Sequence, residues 1–68
     1  MMKTDFHRLP STRLLVHMTT RDFQATQIGT VTVDDKEVPV VELNGRAVSL
    51  VQVALDAREN SIGWQELD

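Results

Sequence analysis

The chain has no cysteine, no tyrosine and no long apolar run, and it is poor in glycine, proline and aromatic residues. Each shortage excludes something. Without cysteine there can be no disulfide staples and no thiolate metal centre, and the composition fits a reducing compartment. No apolar stretch approaches the ~20 residues of a membrane-spanning helix. The opening Met1-Met2-Lys3-Thr4-Asp5-Phe6 lacks the apolar core of a secretory leader, so a soluble, cytoplasmic protein is expected. With three glycines in all, no phosphate-cradling glycine loop can be assembled; Asn44-Gly45 lacks both that pattern and the Lys-Ser/Thr that would follow it.

At 68 residues one domain is the limit. A domain this small buries only about 60% of the surface its unfolded chain exposes. Its core alone supplies ~3–5 kcal/mol, which favours a homodimer or a tight complex as further support. The net charge of −3 is unevenly spread: residues 1–29 are net positive and residues 30–68 net negative. Such polarity can steer a partner or a second copy.

Residues 1–12 read as an irregular lead-in because Pro10 blocks helix and pushes Leu9 towards extended backbone. Residues 13–68 read as a single domain. Leu14, Val16 and Met18 alternate as a strand would, supported by the β-branched Val16, Thr19 and Thr20, although Leu14, Leu15 and Met18 would also share a helix face. Arg21–Gln27 is either a short helix or the return arm of a hairpin.

The middle of the chain is clearer. Thr30–Val33 alternates, Asp34–Glu37 is a polar turn, and Val38–Leu43 is a second strand. Pro39 marks an edge, a bulge or a non-bonded position in that strand. Asn44-Gly45 between apolar runs signals a two-residue type I′ hairpin. That turn sets Leu43 opposite Arg46, Glu42 opposite Ala47, Val41 opposite Val48 and Val40 opposite Ser49. Ser49-Leu50-Val51-Gln52 matches a capping box, so a helix runs from Leu50 to about Glu59 with Asn60 as its left-handed cap. Its expected core stripe is Val51, Ala54 and Leu55. The tail from Ser61 to Asp68 is too short for a further full element.

The expected fold is therefore α+β: a three- or four-stranded antiparallel sheet with one C-terminal helix packed on one face. Val31, Val33, Val41, Val48, Val51, Ala54 and Leu55 should form the core, joined by Leu14, Val16 and Phe23.

An enzyme requires convergent reactive groups, and these are scarce. His7 and His17 have no partner motif, and Asp34, Asp35 and Glu37 lack the spacing of a calcium loop. No catalytic residue, metal site or cofactor is expected. Binding remains. Trp64 and Ile62 either cap the core or anchor an interface, and Arg13, Arg21 and Arg46 suit an acidic partner. The leading expectation is a small non-catalytic module that modulates or inhibits another protein, of the kind that phages and mobile elements use to occlude a host factor.

The stretch Val38-Pro39-Val40-Val41-Glu42-Leu43-Asn44-Gly45-Arg46-Ala47-Val48-Ser49-Leu50 resembles the hairpin of Phd/YefM-type antitoxins. There a valine-rich strand, an Asn-Gly-type turn and a second strand lead into a helix. The resemblance spans residues 38–50 and adds to the alternative expectation drawn from the arginines and the hairpin, a small DNA-associated transcriptional regulator or antitoxin-like protein using the β-hairpin and the N-terminal arginines. The N-terminal helical pattern expected of that family is not evident in residues 1–28.

Overall fold

Period-two alternation dominates the first half of the chain, and a long β-ribbon results. The structure, a computed structural model, describes residues 6–67. Strand β1 (Phe6–Met18) turns at Thr19-Thr20 into β2 (Asp22–Val33), followed by β3 (Lys36–Leu43) and β4 (Arg46–Ser49). Helix α1 (Leu50–Ala57) then leads into β5 (Ile62–Glu66). The sheet is antiparallel and five-stranded in the order β4-β3-β2-β1-β5.

The α+β reading stands, with five strands in place of three or four. The tail is a strand, correcting the expectation that it was too short: Ile62, Trp64 and Glu66 lie opposite Met18, Val16 and Leu14. Residues 6–12 belong to β1, not to an irregular lead-in; residues 1–5 lie outside the described residues. Pro10 is accommodated because its fixed φ suits extended backbone and because the register with β2 shifts between Arg8 and Thr12. The segment Arg21–Gln27 is the return arm of the hairpin, not a helix.

Both tight turns follow from left-handed backbone. Asn44 and Gly45 have φ of 52° and 76°, Asp34 and Asp35 of 50° and 65°. These are the positive angles that a two-residue type I′ loop requires. The β3–β4 register is the one the Asn-Gly turn dictates, Leu43–Arg46 through Val40–Ser49. At Pro39 the pairing with β4 has already ended, so this part of β3 has only β2 beside it and tolerates the missing N–H.

A second register shift, between Gln27 and Gly29, sets Val41 opposite Gln27 but Val40 opposite Gly29. The extra residue, Ile28, bends the sheet. Four consecutive β3 residues, Val38–Val41, are buried as a result. Of these, Val38, Val40 and Val41 join Leu14, Val16, Met18, Ala25, Val31, Leu50 and Val53 in one core. Leu14, Val16, Val41 and Leu50 are almost wholly enclosed. Each such side chain is worth roughly 1.5–3 kcal/mol of burial.

Helix α1 corrects the expected core. Its buried residues are Leu50 and Val53, whereas Val51 is 36% and Leu55 65% exposed. Ala54 is half-buried, and Val33, Val48 and Phe23 pack against the core from its margin. Ser49 caps the helix as expected, its Oγ accepting from the Gln52 amide at 3.2 Å. The Gln52 side chain turns instead to Asp56 Oδ1, at 2.8 Å. The left-handed cap is Arg58, not Asn60.

Candidate functional site

The five residues expected to bind a partner are not gathered at one place. Arg21 follows the β1–β2 turn and Arg46 follows the Asn44-Gly45 turn. Both line a cleft of about 430 Å³ between the hairpin tip and α1, with Leu43, Asn44, Val48, Val53, Asp56 and Ala57. Leu43, Val48 and Val53 supply its apolar surface, and Arg21 and Arg46 line it beside them.

Arg21 is placed by two local contacts. Its guanidinium carbon lies 5.6 Å from the centre of the Phe23 ring. The turn before it is tied to the end of the helix by Glu59 Oε1, which accepts from the Thr20 amide at 3.0 Å and from the Thr20 hydroxyl at 3.1 Å. Among the described residues neither Arg21 nor Arg46 lies within ion-pair distance of a carboxylate, although Asp56 shares the cleft. Asp56 is engaged by Gln52.

Trp64 is elsewhere. It lies opposite Val16 on the edge strand β5 and is 40% exposed, so it neither caps the core fully nor stands clear of it. It lines a second groove, of about 270 Å³, with Leu9, Leu14, Gln27, Thr30, Glu37, Pro39 and Glu66. Ile62 is half-buried against the core. Arg13 sits at the end of the β1–β5 ladder, its carbonyl accepting from the Leu67 amide at 3.0 Å.

The histidines take no part in either cleft. His17 Nδ1 is 3.3 Å from Asp22 Oδ1 across the β1–β2 ribbon, a surface pair of small energetic consequence. Among the described residues no three His, Asp or Glu side chains are gathered as a metal centre would require. No helix among them is long and apolar enough to cross a membrane.

Two groups of residues escaped the sequence reading. Asp56, Val48 and Val53 join the arginine cleft because α1 folds back over β3 and β4. Leu9, Gln27, Glu37 and Glu66 meet only through pairing of distant strands, and no local signal marks them. Gln27 alone carries a hint: a polar residue in register with the alternating positions Ala25 and Val31. The fold carries β-ribbon where Phd/YefM-type antitoxins have their N-terminal helices, since residues 6–33 form β1 and β2. Compared with protein families, with curated proteins and with solved structures, the chain matches none.

Proposed function

We propose that this chain is a small, non-catalytic protein-binding module that modulates or inhibits a partner, and that the arginine cleft receives an acidic segment of that partner. The observation that carries this reading is the pair of guanidinium groups, without carboxylate partners among the described residues, set around an apolar surface. Charge-assisted hydrogen bonds to Asp or Glu side chains are strong where the surroundings are partly desolvated, and arginine favours bidentate contact.

A DNA-associated role is less well supported. A duplex demands cations along one face, whereas Arg8 and Arg13 lie on β1 and Arg21 and Arg46 border the cleft with Asp56. The overall charge of −3 adds repulsion from phosphate.

The test is affinity capture from a bacterial lysate with and without nuclease, comparing the native chain with an Arg21→Glu/Arg46→Glu variant. A stoichiometric protein that survives nuclease and is lost from the variant supports the reading. Recovery of nucleic acid, with accompanying proteins released by nuclease, replaces it with the DNA-associated regulator. A protein retained equally by the variant moves the contact away from this cleft.

A further inference from the structure

The groove beside β5 is acidic where the other cleft is basic, and the reading above makes no use of it. We infer that it is a docking site for an arginine side chain presented by an extended segment of a partner protein. Three acceptor groups surround it. Glu37 and Glu66 bring carboxylates that form no ion pair among the described residues. Gln27, only 7% exposed, brings the third. Its amide nitrogen donates to the Gly29 carbonyl at 3.1 Å, which leaves Oε1 without a hydrogen-bond partner. Among the described residues no buried side-chain oxygen or nitrogen is sealed off unpartnered, so Oε1 is not closed off, and Gln27 is one of the residues that line the groove.

The walls are apolar: Leu9, Pro39 and the ring of Trp64. Carboxylates, an amide oxygen and an aromatic ring along an apolar slot are complementary to a guanidinium on an aliphatic stem. That group offers five donors, stacks on aromatic faces and is weakly hydrated. At about 270 Å³ the groove falls below the ~300–1,000 Å³ of pockets that take up drug-sized ligands and suits one long side chain.

The open edge of β1 indicates an extended segment as the source. β5 pairs with Leu14–Met18, and the Leu67–Arg13 bond ends the ladder. From Phe6 to Thr12 the only strand beside β1, among the described residues, is β2. Leu9, from this open stretch, lines the groove. A strand added along that edge would direct alternate side chains to the groove's side of the sheet.

Trp64 is the only tryptophan, so its emission reports on the site directly. The probes are the acetylated and amidated peptide Thr-Val-Arg-Val-Thr, the same peptide with neutral citrulline for arginine, and N-acetyl-arginine amide. The arginine peptide should give a saturable change in emission, and the citrulline peptide should bind about tenfold more weakly. Glu37→Gln/Glu66→Gln, at two exposed positions, should reduce arginine-peptide affinity to the citrulline level with an unchanged circular dichroism spectrum. Equal binding of both peptides, no saturable response at millimolar peptide, or full affinity in the double variant overturns the site. N-acetyl-arginine amide binding as tightly as the peptide overturns the protein segment as its source. The Arg21→Glu/Arg46→Glu variant should bind the arginine peptide normally, so this site and the arginine cleft stand or fall separately.

Discussion

The arginine cleft is walled by a helix, whereas the groove beside β5 is walled only by strands. Apart from Arg21, the cleft is assembled from Leu43 to Ala57, a single hairpin–helix unit that is nearly continuous in sequence. The groove draws Leu9, Gln27, Glu37 and Trp64 from four different strands. Local assembly places the cleft under the control of α1 packing. Non-local assembly places the groove under the control of the bend at Ile28 and Gly29, where the register of β2 shifts. The two sites therefore have separate mechanical supports within one core, and substitutions at those supports can test the distinction.

The largest effect is expected at the foot of the helix. Leu50 is fully buried, so Leu50→Ala removes its packing and leaves a cavity, at a cost of about 3 kcal/mol. In a domain of ~3–5 kcal/mol this leaves little folded population. Leu55, also apolar but 65% exposed, should lose under ~0.5 kcal/mol as Leu55→Ala. Urea unfolding followed by circular dichroism measures both. Equal losses would mean that the helix presents its other stripe to the sheet, and the wall assigned to the arginine cleft would be wrong.

A smaller loss is expected at the other support. Gly29 packs beneath the β1 arm: a Cβ placed there would meet the His7 carbonyl oxygen and the Phe6 ring, the latter at 2.8 Å. Backbone cannot yield as a side chain can, so Gly29→Ala should cost about 2 kcal/mol. Because Leu9 follows closely on β1, the same substitution should shift Trp64 emission while leaving amide resonances around Arg46 in place. An undisturbed Trp64 would show that the groove does not depend on the bend.

How much of this was legible depended on the range of the interactions. The Asn44-Gly45 hairpin and its whole register could be read because positive φ at two adjacent residues is a local demand. Ser49 as helix cap was equally local. The rotation of α1 was not legible. Leu50, Val51, Val53, Ala54, Leu55 and Ala57 are all apolar, so an eight-residue helix offers two stripes of similar hydrophobicity. The junction with β4 chooses between them by turning Leu50 inward. Strand β5 was missed because Gly63, Gln65 and Glu66 have little strand preference of their own; pairing with β1, remote in sequence, supplies it. Of the residues expected to bind a partner, Arg21 and Arg46 line one cleft, and Trp64 and Arg13 lie apart from it. Trp64 is set apart because β1 stands between β5 and the rest of the sheet, and Arg13 because it lies on β1 away from the Thr19-Thr20 turn, neither of which sequence spacing conveys.

One expected change is a small gain, and it acts on the cleft alone. Arg58 holds φ at 57° at the end of α1, a left-handed conformation that costs a side-chain-bearing residue energy. The hydrogen bonds there are those of a Schellman ending: Glu59 N–H to the Ala54 carbonyl at 2.8 Å and Arg58 N–H to the Leu55 carbonyl at 3.1 Å. Arg58→Gly relieves the strain but adds freedom to the unfolded chain, so the net gain is about 0.5 kcal/mol. For a domain of this size that corresponds to ~2–4 °C in Tm, within reach of calorimetry. The same cap sets the position of Glu59, whose carboxylate holds the Thr20 turn and with it Arg21. Acidic ligands should therefore bind the Arg58→Gly variant at least as well as the native chain, and the groove's response to the arginine peptide should not change. A lowered Tm would mean that the Arg58 side chain makes contacts worth more than the strain it imposes.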